Sequence, residues 1–427
     1  MKRALAAVVV VWILPVGIVF SGVFDEFGAG SAVMGGVPVA VDEGPASTYN
    51  NPAGLAGVGD SALEFTCIAS SAHIRLHDRP AEHDTISGMA LHFMTGVGSR
   101  LGLGCCVYVP SGSLVETSVR TPAEPRMALF NDRFDVVQMA AGIGFRVNDR
   151  WRLGLGLRMI TGLELDNPVY LYISNYQDPL ENDPDFHYST IGGTSKVKAE
   201  YSLTAGVNWQ PAPAVTLGLA YRDRLSVPLS MRSTSAVEIG GIYYLDIPMR
   251  IWGNLFFEPR RVSMGGNVAL GGKCGVNGEV SWEEWSDYAD PRLEVEVEPI
   301  ESNPPFFEAF PHAAFEDIWG WRLGAYFRPG RVWMVSAGLR SAPSPAPTQS
   351  GATNLVDCDR WILSAGAALQ LSAPAWLAVD GLTITTFGQF HDLTTTRVGK
   401  DDPELHGESY SASGSFCLVG MGILISF

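Results

Sequence analysis

The chain has 427 residues, 45 acidic against 29 basic, a formal net charge of -16, and 17% charged against 46% hydrophobic residues. The negative balance opposes nucleic-acid binding, and the charged fraction falls short of the roughly one quarter usual for a water-soluble protein. After the first twenty residues no apolar run is long enough to cross a bilayer as a helix, so the shortage of charge points to an outside that meets lipid through strands.

The N-terminus reads as an export signal over 1–21: Met1-Lys2-Arg3 is a basic start, Ala4 to Phe20 is apolar around Pro15, and Ser21-Gly22 is a small-residue cleavage region. Residues 22–60 follow without strand periodicity. They are rich in small residues, with Gly28, Gly30, Gly35 and Gly36, then Asp42-Glu43, then Asn51-Pro52-Ala53. Pro52 fixes its own φ and pushes Asn51 towards an extended conformation, while the Asn51 side chain can close a local turn. We expect a short plug that packs closely against a wall.

From residue 61 the hydropathy alternates with period two, as a wall one residue thick must when one face meets lipid and the other a lumen. Trp151, Leu153, Leu155 and Leu157 alternate with Arg152, Gly154, Gly156 and Arg158. The same test predicts strands at 61–70, 87–95, 100–109, 135–146, 150–160, 197–209, 213–223, 260–271, 275–284, 318–328, 331–340, 360–371, 376–390 and 415–427. The fold class is therefore all-β, a transmembrane antiparallel β-barrel of about fourteen strands over 61–427 with the N-terminal plug inside. Glycines at inward positions (Gly102, Gly104, Gly142, Gly144, Gly154, Gly156, Gly218, Gly324) leave room for that plug.

Short and long links alternate strictly, which fits periplasmic turns and outer loops. The long ones are 71–86, 110–134, 161–196, 224–259, 285–317, 341–359 and 391–414. Two of them concentrate aromatic residues: Tyr243, Tyr244, Trp252, Phe256 and Phe257, then Phe306, Phe307 and Phe310. Exposed apolar loops suggest capture of a hydrophobic ligand; packing on one another or an interfacial girdle is the other reading. The chain ends on an alternating strand closed by Phe427.

Asn51-Pro52-Ala53 before the first strand, the glycine-rich start and the acidic-small stretch resemble the FadL/TodX family of outer-membrane transporters for long-chain fatty acids and aromatic hydrocarbons. The resemblance implies an outer-membrane fourteen-stranded barrel whose N-terminal hatch carries the Asn-Pro-Ala motif. It further implies passive uptake of fatty acids or other small hydrophobic molecules, caught by outer loops and released sideways at a kinked third strand. Resemblance to outer-membrane proteins generally makes Phe427 the signal read by barrel-assembly machinery. The alternatives are a plugged barrel serving protein secretion, a surface structural protein and an open diffusion porin.

Little else suggests chemistry. His73, His77 and His83 beside Asp84 lack tight metal-pair spacing, and the acidic third loop (Asp166, Asp178, Glu181, Asp183, Asp185) lacks an ordered calcium pattern. No Gly-x-Ser-x-Gly elbow occurs, so no enzyme, cofactor or metal is expected. Cys67 and Cys417 fall on the first and last strands, where a bridge or two separate apolar thiols are both consistent.

Overall fold

A computed structural model describes residues 28–33, 39–40, 44–57, 59–77, 79–81, 87–110, 125–127, 137–165, 169–174, 195–239, 242–288, 294–297, 313–372 and 379–427. The export signal, Gly35, Gly36, Phe306, Phe307 and Phe310 lie outside these residues. Fourteen strands form the wall: β1 (Ala62–Leu76), β2 (Ser87–Val97), β3 (Leu101–Pro110), β4 (Gln138–Arg146), β5 (Trp151–Leu165), β6 (Ser195–Ala212) and β7 (Val215–Arg222). The others are β8 (Arg260–Leu270), β9 (Cys274–Glu284), β10 (Ile318–Phe327), β11 (Trp333–Ala342), β12 (Arg360–Ser372), β13 (Gly381–Val398) and β14 (Tyr410–Ser426). Each pairs antiparallel with its sequence neighbour, and β14 closes on β1 from Ala62↔Ser426 to Leu76↔Ala412. Closure leaves no edge, as a bilayer with no water to satisfy free N–H and C=O groups demands. No helix among the described residues is long and apolar enough to cross a membrane.

The pleat sorts the sequence as the alternation predicts. Leu155 is 65% and Trp319 66% exposed on the outer face, while Arg158 is 1% and Arg322 3% exposed on the inner one. Trp151 and Trp209 stack at 5.5 Å near the short turns, where amphipathic rings sit at the bilayer interface. Turn chemistry is local: Asn148 Oδ1 accepts from the amides of Arg150 and Trp151 at 2.9 and 3.0 Å, and Gly98 and Gly271 supply φ values of 65° and 68°.

Two expectations need correction. The thirteenth strand is Gly381–Val398 rather than 376–390, with a register irregularity between Leu393 and Thr396. Its inward face mixes Phe387 and Leu393, which join an apolar cluster, with buried Thr385, Gln389 and His391, and Asp392 and Thr394 lie on the other face, so hydropathy does not mark the boundary. The link 224–259, expected to be a loop, is a long hairpin of Leu225–Ile239 and Ile242–Glu258, flanked by Val169–Ser174 and Glu294–Val297 in a separate four-stranded sheet. Cys67 lies across from Met421 and Cys417 from Ser71, and all six thiols are free.

The two faces give a test of parity. Leu155→Arg should sharply reduce assembly, because a midplane arginine facing lipid costs ~2–4 kcal/mol. Gly154→Ser faces the lumen and should assemble, yet a Cβ there would overlap the backbone of Pro52 and Ala53, so it should displace the N-terminal segment. Heat-modifiability on gels measures assembly, and protease sensitivity of residues 28–57 reads displacement. Equal assembly yields for the two variants would reject the parity.

Candidate functional site

The N-terminal segment crosses the inside of the barrel. Ala29–Val33 forms a helical turn against β12–β14, where the Ala29 amide donates to Glu64 Oε1 (3.0 Å), Gln389 Nε2 to Ala32 O (3.2 Å) and Ser364 Oγ to Val33 O (3.3 Å). The Val39 amide then donates to Glu279 Oε2 on β9 at 3.3 Å. Ser47–Asn50 is a second helical turn, and Pro52–Gly57 a 3-10 turn lying on β2–β6.

Glycine in the wall makes this approach feasible. An added Cβ would overlap Leu55 O at Gly102, Thr48 Oγ1 at Gly104, Ala56 N at Gly144, Ala53 N at Gly154 and Val39 O at Gly218. Five of the eight inward glycines expected to make room thus abut the segment with no space for a Cβ, and at a sixth, Gly142, a Cβ would lie 3.2 Å from Leu55. Gly156 differs: a Cβ there would meet Thr204 of the wall. Gly206, which the sequence reading passed over, sits against Asn51 Oδ1.

Asn51 is wholly buried and extended, with φ -151° and ψ 99°. Its Nδ2 donates to Val39 O (2.6 Å) and to Asn208 Oδ1 (2.8 Å), while its Oδ1 accepts from the Ala53 amide (3.1 Å). The turn expected from Asn51-Pro52-Ala53 is therefore present, and it also ties three separated stretches together. Gly28 has a φ of 147°, and a Cβ there would overlap Ala46. Gly30 has open space around it.

Above this turn lies a charged constellation that no motif marked. Glu258, the last residue of the outer hairpin, forms ion pairs with Arg158 of β5 at 2.7 Å and Arg222 of β7 at 3.1 Å. Tyr49 donates its hydroxyl to the same carboxylate at 3.1 Å, and its ring lies 4.3 Å from the Arg222 guanidinium. Arg158 further donates to Ser202 Oγ (2.8 Å) and to Asp223 O (2.6 Å), the backbone at the foot of the same hairpin. Outside the strands, burial opposes ionisation of Asp223, but the Arg224 amide, the Tyr221 hydroxyl and Arg260 hold its carboxyl below the ordinary carboxylate value.

The aromatic residues expected in the outer loops divide. Phe256 and Phe257 are buried, in line with the packing alternative left open for the loop aromatics. Phe257 packs with Trp285 (5.8 Å) and Tyr288 (4.9 Å), and Tyr288 with Phe315 (4.7 Å), at the long-loop end. Tyr243, Tyr244 and Trp252 fall on the second strand of the hairpin. Phe257 thus belongs to a packed apolar cluster with Trp285 and Phe315, and it adjoins Glu258, the partner of the two arginines, in sequence.

The gap that the resemblance places at β3 is not seen among the described residues. β3 pairs with β2 from Val97↔Leu101 to Gly88↔Pro110 and with β4 from Leu101↔Phe145 to Tyr108↔Gln138 without a register shift. No group of three or more His, Cys, Asp or Glu suited to a metal occurs among them either.

A family model described as outer membrane protein transport protein (OMPP1/FadL/TodX) matches residues 24–412. Among solved structures the chain is similar to a Pseudomonas aeruginosa FadL homologue, with 14% identity over 95% of this chain and 99% of that one, TM-score 0.64. It is also similar to the P. putida toluene transporter TodX (14% identity, 94% and 99% covered, TM-score 0.60) and to the Ralstonia pickettii toluene transporter TbuX (15%, 93% and 98%, TM-score 0.56). No curated protein matches the chain by sequence.

Proposed function

The chain belongs to the OMPP1/FadL/TodX family of outer-membrane transport proteins, and we propose that its cargo is a long-chain fatty acid or a similar hydrophobic molecule with an anionic head. The observation that carries this reading is the pair Arg158 and Arg222, which converge on the one carboxylate of Glu258, next in sequence to Phe257 of an aromatic cluster. Two guanidiniums recognise a carboxylate through charge-assisted hydrogen bonds, whereas a neutral hydrocarbon gives them nothing. Glu258 occupies the position that the ligand's own carboxylate would take. In this reading Tyr243, Tyr244, Trp252, Phe306, Phe307 and Phe310 contribute to capture, and Phe256 and Phe257 supply apolar surface next to Glu258. The N-terminal segment with Asn51, Pro52 and Ala53 is the hatch. Phe427, whose amide donates to Ser61 O at 2.9 Å, is offered to the assembly machinery before closure.

Binding measured by intrinsic fluorescence on the purified full-length barrel tests the proposal. A long-chain fatty acid should bind about tenfold more tightly than the alcohol of equal length, since a hydrogen bond to a charged group contributes ~1.5–3 kcal/mol. Equal affinities would favour a neutral hydrocarbon cargo, and no binding of either would reject a long-chain cargo.

A further inference from the structure

The charge of the chain is unevenly distributed along the barrel axis. The long connection 285–317 carries nine acidic residues and one basic, and 161–196 carries six and one. The six short connections contain only Asp149 and Asp380 as acids, but Arg100, Arg150, Lys273, Arg328 and Arg331 as bases. A net charge of -16 therefore conceals a cationic short-turn end, which in an outer-membrane barrel faces the periplasm.

Three of these cations lie on adjacent turns, the β8–β9 turn with Lys273 and the β10–β11 turn with Arg328 and Arg331. The turns touch: the Arg328 amide donates to Lys273 O at 2.7 Å. All three side chains are exposed, and the Arg328 guanidinium lies 4.8 Å from the Tyr326 ring. Neither turn contains an acid. Directly membrane-ward sit outward apolar residues, Leu270 (55% exposed), Phe327 (46%), Val332 (46%) and Trp333 (48%). Apolar side chains that enter the acyl layer beneath clustered cations set those cations at headgroup level, where they meet lipid phosphate.

We propose that Lys273, Arg328 and Arg331 form a binding patch for the phosphate headgroup of an anionic phospholipid in the periplasmic leaflet. The three cations span two neighbouring turns, so a diphosphatidyl lipid with two phosphates fits better than a single phosphodiester. The apolar skirt makes the lipid, rather than a free anion, the ligand. The patch lies at the opposite end of the barrel from the outer hairpin and does not depend on the identity of the cargo.

The test uses the full chain in phosphatidylcholine nanodiscs doped with diphosphatidylglycerol, followed by native mass spectrometry of the lipid that stays bound. The wild type should retain the anionic lipid at least ~10-fold over phosphatidylcholine, because each interfacial cation adds to the attraction. Combined Lys273→Gln, Arg328→Gln and Arg331→Gln should abolish that preference, while Arg100→Gln with Arg150→Gln should leave most of it. Arg331→Gln alone, on a turn where a Cβ at Gly330 would meet nothing within 4 Å, should reduce it ~3-fold and serves if the triple variant fails to assemble. Retention unchanged in the triple and single variants would overturn the proposal. So would displacement of the lipid by millimolar inorganic phosphate, which would make this a free-anion site.

Discussion

Removing residues 23–50 should convert a nearly closed barrel into a conducting one, seen as a several-fold rise in single-channel conductance in planar bilayers. The deleted stretch supplies the turn against β12–β14, the Val39 contact with β7 and β9, and Tyr49 between the arginines. The Pro52–Gly57 turn would remain on β2–β6, so the opening should lie on the β7–β13 side. Polar groups there, including Arg222, Ser263, Glu279 and Arg322, already line a narrow cavity and would admit water and ions. Selectivity for hydrophobic over polar solutes should fall with the rise in conductance. Asn51→Ala with Pro52→Ala should give a milder version. It removes three hydrogen bonds of a wholly buried side chain, each contributing about 0.5–1.5 kcal/mol net. A full-length protein that conducts as an open pore, with no change on deletion, would sink the hatch and favour a diffusion porin. Closed barrels in both forms with no ligand binding would favour a secretion or structural role.

Much of this architecture is legible because a barrel wall imposes a rigid code. Each strand must show lipid one face and the lumen the other, so the period-two signal locates all fourteen strands even where its ends are misplaced. Glycine spacing at Gly102, Gly144 and Gly154 carries further information, since backbone against backbone leaves no alternative to a missing Cβ. The code fails where each face mixes apolar and polar residues, as in β13, whose inward face carries Phe387 and Leu393 beside Gln389 and His391. It also fails for the outer hairpin, whose strands belong to a second sheet and are not held to lipid-facing alternation. Arg158, Arg222 and Glu258 were hidden for another reason. An inward arginine is ordinary lumen chemistry, and only the register of β5, β6 and β7 together with the hairpin's return brings these three to one point.

That convergence makes Glu258→Gln the most informative single substitution, because its two expected effects have opposite signs. Arg158 and Arg222 have side chains only 2% and 9% exposed, so neutralising their shared partner leaves two guanidiniums largely desolvated. Breaking a buried pair from one side costs ~3–5 kcal/mol. Here the loss should fall at the lower end, since Arg158 keeps Ser202 Oγ and Asp223 O and Glu258 itself is 14% exposed. The destabilisation should appear locally, as greater protease sensitivity of the hairpin 225–258 and of the segment around Tyr49. Tyr49→Phe should add little to it, because the bond the hydroxyl donates runs to the same carboxylate and the one it accepts from Arg222 Nη1 is long, at 3.5 Å. Ligand binding should move the other way. With Glu258 uncharged, a fatty-acid carboxylate no longer competes with an internal anion for the two arginines and should bind about tenfold more tightly, while the matching alcohol changes little. Weaker fatty-acid binding in Glu258→Gln would mean that Glu258 helps to form the site rather than filling it, and the arginine pair would then be a structural clamp between hairpin and hatch.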